Sequence, residues 1–231
     1  PAVRIVSLQP SHTEILFALG LSSKIVGVTD YCDFPSEARQ KTRVGGFSNP
    51  SIEKIIAQKP DLVIAGSAHE NIVQELTKMG IPILALESKT LGGVTSVIDA
   101  IAAATGTKQT GDTLIKNMQS RIDAVATFVS RIPDKDRPRV FYELWHDPLT
   151  TVGPGSFLDD LITLAGGVNI AAATKSPYPQ LSVETLLKAD PDVILYAHAG
   201  QRTEDIKKRP GFSNIKAVKT GRIVFFSDEN I

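Results

Sequence analysis

A stretch that occurs twice decides the fold of this chain: Ser-Ile-Glu at residues 51–53 with Pro-Asp-Leu-Val-Ile at 60–64, and Ser-Val-Glu at 182–184 with Pro-Asp-Val-Ile-Leu at 191–195. The offset between the copies is 131 residues for both segments. Each copy is typical of a Ser-capped helix, a Pro-Asp turn that ends it, and a buried parallel strand. The repeat therefore predicts two similarly built lobes.

Val- and Ile-rich runs alternate along the whole chain with longer stretches of helical period. This pattern is typical of an α/β fold in which helices cover parallel sheets. We predict two Rossmann-like lobes, each with a mainly parallel central sheet. The predicted strands span residues 4–8, 25–28, 62–65, 81–85, 139–143, 193–196 and 222–226.

The segment from Gly111 to Ile132 lies between the two repeats and contains no internal Gly or Pro. Its apolar residues recur at helical spacing, so we predict one long helix that joins the lobes. We place the N-terminal lobe at residues 1–106, the connecting helix at 107–136 and the C-terminal lobe at 137–231. Ligands of such sheets bind outside the carboxyl ends of the strands, so we expect a site in the cleft between the lobes.

Composition and motifs disfavour several classes of function. The 231 residues contain 25 basic and 25 acidic side chains, so no net positive field favours a nucleic-acid partner. No apolar run approaches the roughly 20 residues that a membrane-spanning helix requires. An α/β enzyme is an alternative, but the chain has neither a Gly-x-Ser-x-Gly elbow nor a Gly-rich phosphate loop after its first strand. We predict no catalytic residue and no resident metal.

Four further segments carry a family resemblance: Arg-Ile-Val-Ser-Leu at 4–8, Gly-Val-Thr-Asp-Tyr-Cys-Asp-Phe-Pro at 27–35, Val-Gly-Gly-Phe at 44–47 and Ser-Pro-Tyr-Pro-Gln at 176–180. They resemble the helical-backbone, class III periplasmic binding proteins of ABC importers, and in particular the cobalamin-binding branch. The resemblance covers essentially the whole chain.

The resemblance implies a monomeric, extracytoplasmic substrate-binding protein, either periplasmic or lipid-anchored at the outer face of the cell membrane. It implies cobalamin or a related corrinoid as the ligand and no intrinsic cofactor. Haem or a siderophore bound by the same fold is an alternative. We expect any signal or anchor segment to lie outside this sequence, and the C-terminal lobe to lack the last helix of its relatives.

In this family, aromatic side chains of the cleft loops sandwich the corrin ring, and the matching positions here are Tyr31, Phe47 and Tyr178. Trp145 follows the first strand of the second lobe and is a further candidate. A flat macrocycle offers apolar faces and an amide rim, which suit aromatic platforms and a few hydrogen-bond donors. The alternative is that each ring packs inside its own lobe.

The resemblance also implies that Glu53 and Glu184 contact the permease dimer, one glutamate from each lobe. The repeat supports this independently, because equivalent carboxylates on two lobes suit a twofold-symmetric partner. The alternative is that each glutamate only complements a helix dipole.

All four histidines follow predicted strands, where loops reach the expected cleft. His146 and His69 are the best candidates for an axial ligand to the cobalt of a corrinoid or the iron of a haem. A zinc or manganese receptor is the alternative, with imidazoles joined by Asp147 or Glu70. The four residues are His12, His69, His146 and His198.

Overall fold

The first four predicted strands form one parallel sheet in the computed structural model, which describes residues 1–197 and 200–226. The strand order is β2-β1-β3-β4, and every neighbouring pair is parallel. The strands and helices of this part are β1 (Ile5–Ser7), α1 (Pro10–Ala18), β2 (Ile25–Val28), α2 (Ile52–Ala57), β3 (Leu62–Ala65), α3 (Glu70–Lys78), β4 (Ile83–Ala85), α4 (Leu91–Thr105) and α5 (Lys108–Val129).

The second half forms another parallel sheet, with the strand order β10-β9-β5-β8, and a separate antiparallel hairpin of β6 and β7. The elements are β5 (Arg139–Glu143), β6 (Trp145–His146), β7 (Leu149–Thr150), α6 (Phe157–Leu164), β8 (Val168–Asn169), α7 (Val183–Ala189), β9 (Val193–Tyr196), α8 (Thr203–Lys207), α9 (Lys216–Lys219) and β10 (Ile223–Phe225).

The two sheets share one topology. Leaving the hairpin aside, each sheet reads second, first, third and fourth strand in chain order. The repeated Pro-Asp turns also do the same work: Asp61 Oδ1 accepts the amide of Arg4 at 2.9 Å, and Asp192 Oδ2 accepts the amide of Arg139 at 2.8 Å. Asp61 thus links the turn before β3 to the start of β1, and Asp192 links the turn before β9 to the start of β5. The prediction of two similarly built α/β lobes is confirmed.

Both sheets are buried on two faces, because helices cover each side. In the first sheet, Ile5 and Ile64 pack with helix α1 on one face, and Val6 and Val63 pack on the other. In the second sheet, the neighbours Val140 and Phe141 likewise belong to separate core clusters. Alternate residues of one strand therefore stabilise opposite layers, which explains the nearly continuous apolar runs of the sequence.

The chain divides into two compact units, and α5 contributes residues to both. Unit 1 contains Pro1–Ser88 and Gly92–Ser120, and unit 2 contains Lys89–Leu91 and Arg121–Ile231. The predicted lobe boundaries at residues 106 and 137 remain predictions. The long helix exists but lies three residues earlier than predicted, since it spans Lys108–Val129. Within the part of the chain that the structure describes, no helix has both the length and the apolar character needed to cross a membrane.

Candidate functional site

The carboxyl end of the unit 1 sheet carries a concave cavity of about 670 Å³, here called the unit 1 cavity. The loops after β1 and β2 and the turn at residues 46–49 build it, because parallel strands deliver the following residues to one edge of the sheet. Its volume lies within the range of small-molecule sites, roughly 300–1,000 Å³. It is lined by Gln9, Pro10, Ser11, Asp30, Tyr31, Gly46, Phe47, Ser48 and Asn49.

Tyr31 and Phe47, two of the predicted aromatic residues, both line the unit 1 cavity. Tyr31 is 70% exposed and Phe47 is partly buried, so the Tyr31 ring is not packed inside its own unit. Arg43 holds the loop that carries Tyr31, since its Nη1 donates to the carbonyl oxygens of Thr29 at 2.7 Å and Cys32 at 2.9 Å. The loop backbone is therefore fixed on both sides of Tyr31.

The hydrogen bonds of His69 bear on its predicted role as an axial ligand. The imidazole is buried; Nδ1 accepts the amide of Gly66 at 3.1 Å, and Nε2 lies 2.8 Å from the carbonyl oxygen of Phe47. A carbonyl oxygen only accepts, so Nε2 carries the ring proton and donates it. Both ring nitrogens are occupied, which leaves none to coordinate a ligand metal. The imidazole also meets the Phe47 ring edge-on, with centroids 5.1 Å apart, and so positions that ring.

Two glycines let polar lining residues lie directly against bare backbone. A Cβ atom on Gly66 would stand 1.7 Å from Gln9 Oε1, and one on Gly46 would stand 2.4 Å from Asn49 Oδ1. Any side chain at either position would displace one of these amides. The two glycines thus leave room for the side chains of Gln9 and Asn49, two residues that line the unit 1 cavity.

His12, one of the four histidines considered above for a metal site, is a buried titratable group. It lies on α1, and its Nδ1 has no hydrogen-bond partner among residues 1–197 and 200–226. Burial lowers the pKa of His12 from 6.5 to about 4; the charge of Glu87 opposes this shift and His69 adds to it. The imidazole is therefore neutral at physiological pH.

In unit 2, the predicted residues Trp145 and His146 form the first strand of the β6–β7 hairpin. Both side chains are exposed, and their rings lie 5.2 Å apart at an angle of 32°. Trp145 Nε1 donates to the carbonyl oxygen of Asp147 at 2.8 Å, which anchors the indole across the hairpin turn. The Trp145 ring is 43% exposed and so presents much of its surface outside the core.

Tyr178 lies on a loop that pairs with the same hairpin. Thr150 of β7 forms an isolated antiparallel bridge with Gln180, and the amide of Leu181 donates to the carbonyl oxygen of Leu149 at 2.9 Å. The Tyr178 ring is 55% exposed. The hairpin and this loop therefore bring Trp145 and Tyr178 onto neighbouring segments of unit 2, and neither ring is packed in the interior.

A buried ion pair supports the strand that leads into the hairpin. Glu143, at the end of β5, has a side chain that is only 1% exposed. Arg209 holds it with Nη1 at 2.5 Å from Oε2 and Nη2 at 3.0 Å from Oε1, and Gln201 Nε2 donates to Oε1 at 2.6 Å. The only sequence signal for this network was a glutamate that directly follows the apolar run at residues 140–142.

Glu53 and Glu184 occupy equivalent places in the two units. Each is exposed in the first turn of its helix, α2 or α7. The preceding caps also match, because Ser51 Oγ accepts an amide at 3.3 Å and Ser182 Oγ accepts one at 3.0 Å. Neither glutamate forms an ion pair with any residue in the described ranges, so both carboxylates are available to a partner.

The histidines do not converge on a metal site in the described part of the chain. There, no group of three or more His, Cys, Asp or Glu side chains is placed to hold a metal ion. His12 and His69 are buried, whereas His146 is exposed on the hairpin. The fourth predicted candidate, His198, lies outside the described residues.

Comparison with known proteins identifies the family of this chain. Residues 5–229 match the family model for periplasmic binding proteins. The chain is 34% identical over 226 residues to YvrC of Bacillus subtilis strain 168, an uncharacterized ABC transporter substrate-binding lipoprotein, covering 95% of this chain and 71% of that protein. It is 37% identical over 198 residues to a vitamin B12-binding protein of Vibrio cholerae, covering 84% and 70%. The periplasmic heme-binding protein RhuT from Roseiflexus sp. RS-1 has a similar structure, with a TM-score of 0.88, 28% identity, and coverage of 99% and 90%.

Proposed function

Because the chain belongs to the periplasmic binding protein family and is an extracytoplasmic substrate-binding protein of an ABC importer, we propose that its ligand is cobalamin or a related corrinoid. Such proteins deliver their ligands to a permease. The 37% identity to a vitamin B12-binding protein supports this ligand, and the similarity to a heme-binding protein makes haem the second candidate.

The observation that carries the corrinoid proposal is the chemistry of the unit 1 cavity. Tyr31 and Phe47 provide aromatic surface, and the polar lining residues are mainly neutral amides and hydroxyls. None of the described residues that line the cavity is Lys or Arg. A corrin ring has apolar faces and a rim of neutral amides, whereas the haem rim carries two carboxylates that would seek cations.

We extend the proposal to unit 2, where Tyr178 and Trp145 supply further aromatic surface for the ligand. Their exposure supports this role, since neither ring is committed to the core. His146 is adjacent to Trp145 and is the described histidine best placed to act as an axial ligand. His69 is withdrawn from this role because its nitrogens are occupied.

Titration followed by absorbance tests the ligand. The protein is mixed in turn with cyanocobalamin, dicyanocobinamide and hemin, whose spectra differ plainly. We expect stoichiometric binding of a corrinoid, and Tyr31→Ala should weaken it roughly tenfold because one aromatic platform is lost. Phe128→Ala is the matched control, since Phe128 is a similarly exposed ring, at 66%, that does not line the unit 1 cavity. Binding of hemin with no affinity for either corrinoid would overturn the proposal.

We also propose that Glu53 and Glu184 dock the protein, as a monomer, onto the permease dimer. Charged rim pairs steer encounter and register rather than ligand affinity. The double variant Glu53→Lys/Glu184→Lys should therefore abolish uptake into vesicles that contain the permease, while leaving corrinoid affinity in solution unchanged. Glu75→Lys is the control, because Glu75 is an exposed helical glutamate of α3 outside the repeat. Equal loss of uptake and of binding in the double variant contradicts docking.

A further inference from the structure

Among the described residues that line the unit 1 cavity, Asp30 alone carries a formal charge. Its side chain is exposed and has no hydrogen bond or ion pair with any residue in 1–197 or 200–226. The remaining polar lining groups are neutral. A carboxylate without an ion-pair partner, beside an aromatic surface, is therefore the main electrostatic feature that a ligand meets in this cavity.

The backbone, and not a side-chain partner, sets the place of Asp30. Its amide donates to the carbonyl oxygen of Gly45 at 2.9 Å. The nearby cation Arg43 is directed to the carbonyl oxygens of Thr29 and Cys32, and it forms no ion pair with Asp30. The loop is thus held without consuming the carboxylate, which stays available to the ligand.

We infer that Asp30 is a specificity-determining residue that favours ligands with a neutral amide rim over ligands with a carboxylate rim. The inference rests on the proposed corrinoid function and deepens it. A primary amide can donate an N–H to the Asp30 carboxylate, and hydrogen bonds to an ionised acceptor are stronger than neutral ones. A ligand carboxylate at the same place has no proton to donate and is repelled by the like charge.

A matched pair of probes isolates the charge: cyanocobalamin, and its monocarboxylic acids in which one peripheral amide is hydrolysed. We expect the wild-type protein to bind at least one of these acids about tenfold more weakly than cyanocobalamin at low salt, the scale of one charge repulsion at a partly solvated site. Asp30→Asn should remove most of that difference. High salt should narrow it in the wild type but not in the variant.

Asp33→Asn is the control, since Asp33 lies in the same loop, pairs with Arg39 at 3.9 Å, and does not line the cavity. It should leave the discrimination intact. Equal affinities for cyanocobalamin and all its monocarboxylic acids in the wild type, or the same discrimination in Asp30→Asn, would overturn the inference while leaving the corrinoid proposal standing.

Failure of the proposed function has a different signature. If no corrinoid binds the wild-type protein, the corrinoid proposal is wrong. The role of Asp30 is then tested with hemin instead. Asp30→Asn should in that case strengthen hemin binding about tenfold at low salt, by removing repulsion of its carboxylates. Unchanged hemin affinity in this variant overturns the inference as well.

Discussion

Unit 1 and unit 2 have the same sheet order but support their exposed aromatic residues by different means. In unit 1, Tyr31 and Phe47 lie on loops at the sheet edge, and the imidazole of His69 holds Phe47 through a hydrogen bond to its carbonyl oxygen. In unit 2, the rings of Trp145 and Tyr178 lie on the β6–β7 hairpin and on the loop paired with it. The strand before the hairpin ends in the buried ion pair of Glu143 and Arg209. The shared topology therefore determines at which edge of the sheet the aromatic residues lie, and local contacts determine which groups support them.

The largest effect is expected from breaking the charged support of unit 2. Arg209→Ala leaves the Glu143 carboxylate buried without its cation, which should lower the free energy of unfolding by about 3–5 kcal/mol in urea titrations. Arg202→Ala removes an exposed pair with Asp205 and should cost less than about 1 kcal/mol. Equal losses in the two variants would show that burial adds nothing to the Glu143 pair.

The two units should also differ in how their stability responds to pH, because unit 1 contains the buried imidazole of His12. Folding lowers the pKa of His12 from 6.5 to about 4, so the unfolded chain takes up a proton first as the pH falls. Above pH 6.5, His12 should therefore not change the free energy of unfolding. By pH 4 it should lower the free energy of unfolding by about 3 kcal/mol. Urea titrations from pH 7 to pH 4 should show this loss in the wild type and a smaller one in His12→Leu.

The smallest expected effect is on ligand affinity when His69 is replaced. It tests whether His69 positions Phe47 or contacts the ligand directly. His69→Ala should weaken corrinoid binding by about 1 kcal/mol, since it removes one hydrogen bond to Phe47 and the ring packing. In the Phe47→Ala background the same change should have almost no further effect on affinity, because His69 acts through Phe47. Additive losses in the double variant would restore a direct role for His69. Isothermal titration of the four proteins measures this cycle.

Regular elements with a clear period were predictable from the sequence. Strands β2, β3, β5 and β9 have the predicted bounds, and the repeat correctly predicted two similarly built lobes. The two-residue strands β6, β7 and β8 were not predicted, because so short a segment shows no period. They form where a neighbouring strand happens to supply hydrogen-bond partners.

The site residues also differ in whether the sequence alone could predict their roles. The motifs at 27–35 and 44–47 marked Tyr31 and Phe47 as candidate ligand contacts, and both residues line the unit 1 cavity. The role of His69 could not be inferred, since it depends on the carbonyl oxygen of Phe47, a residue 22 positions away. The same holds for Glu143, whose cation lies 66 residues further along the chain.

By itself, the sequence determined an α/β chain of two equivalent halves and the loops that carry its aromatic residues, because periodicity and turn chemistry act over a few neighbouring residues. Only the tertiary structure decided which histidine supports the site and which acidic side chain is buried or exposed. Those properties depend on hydrogen bonds and desolvation supplied by distant segments, so Asp30 and Glu143, alike in charge, became an open carboxylate and a buried one.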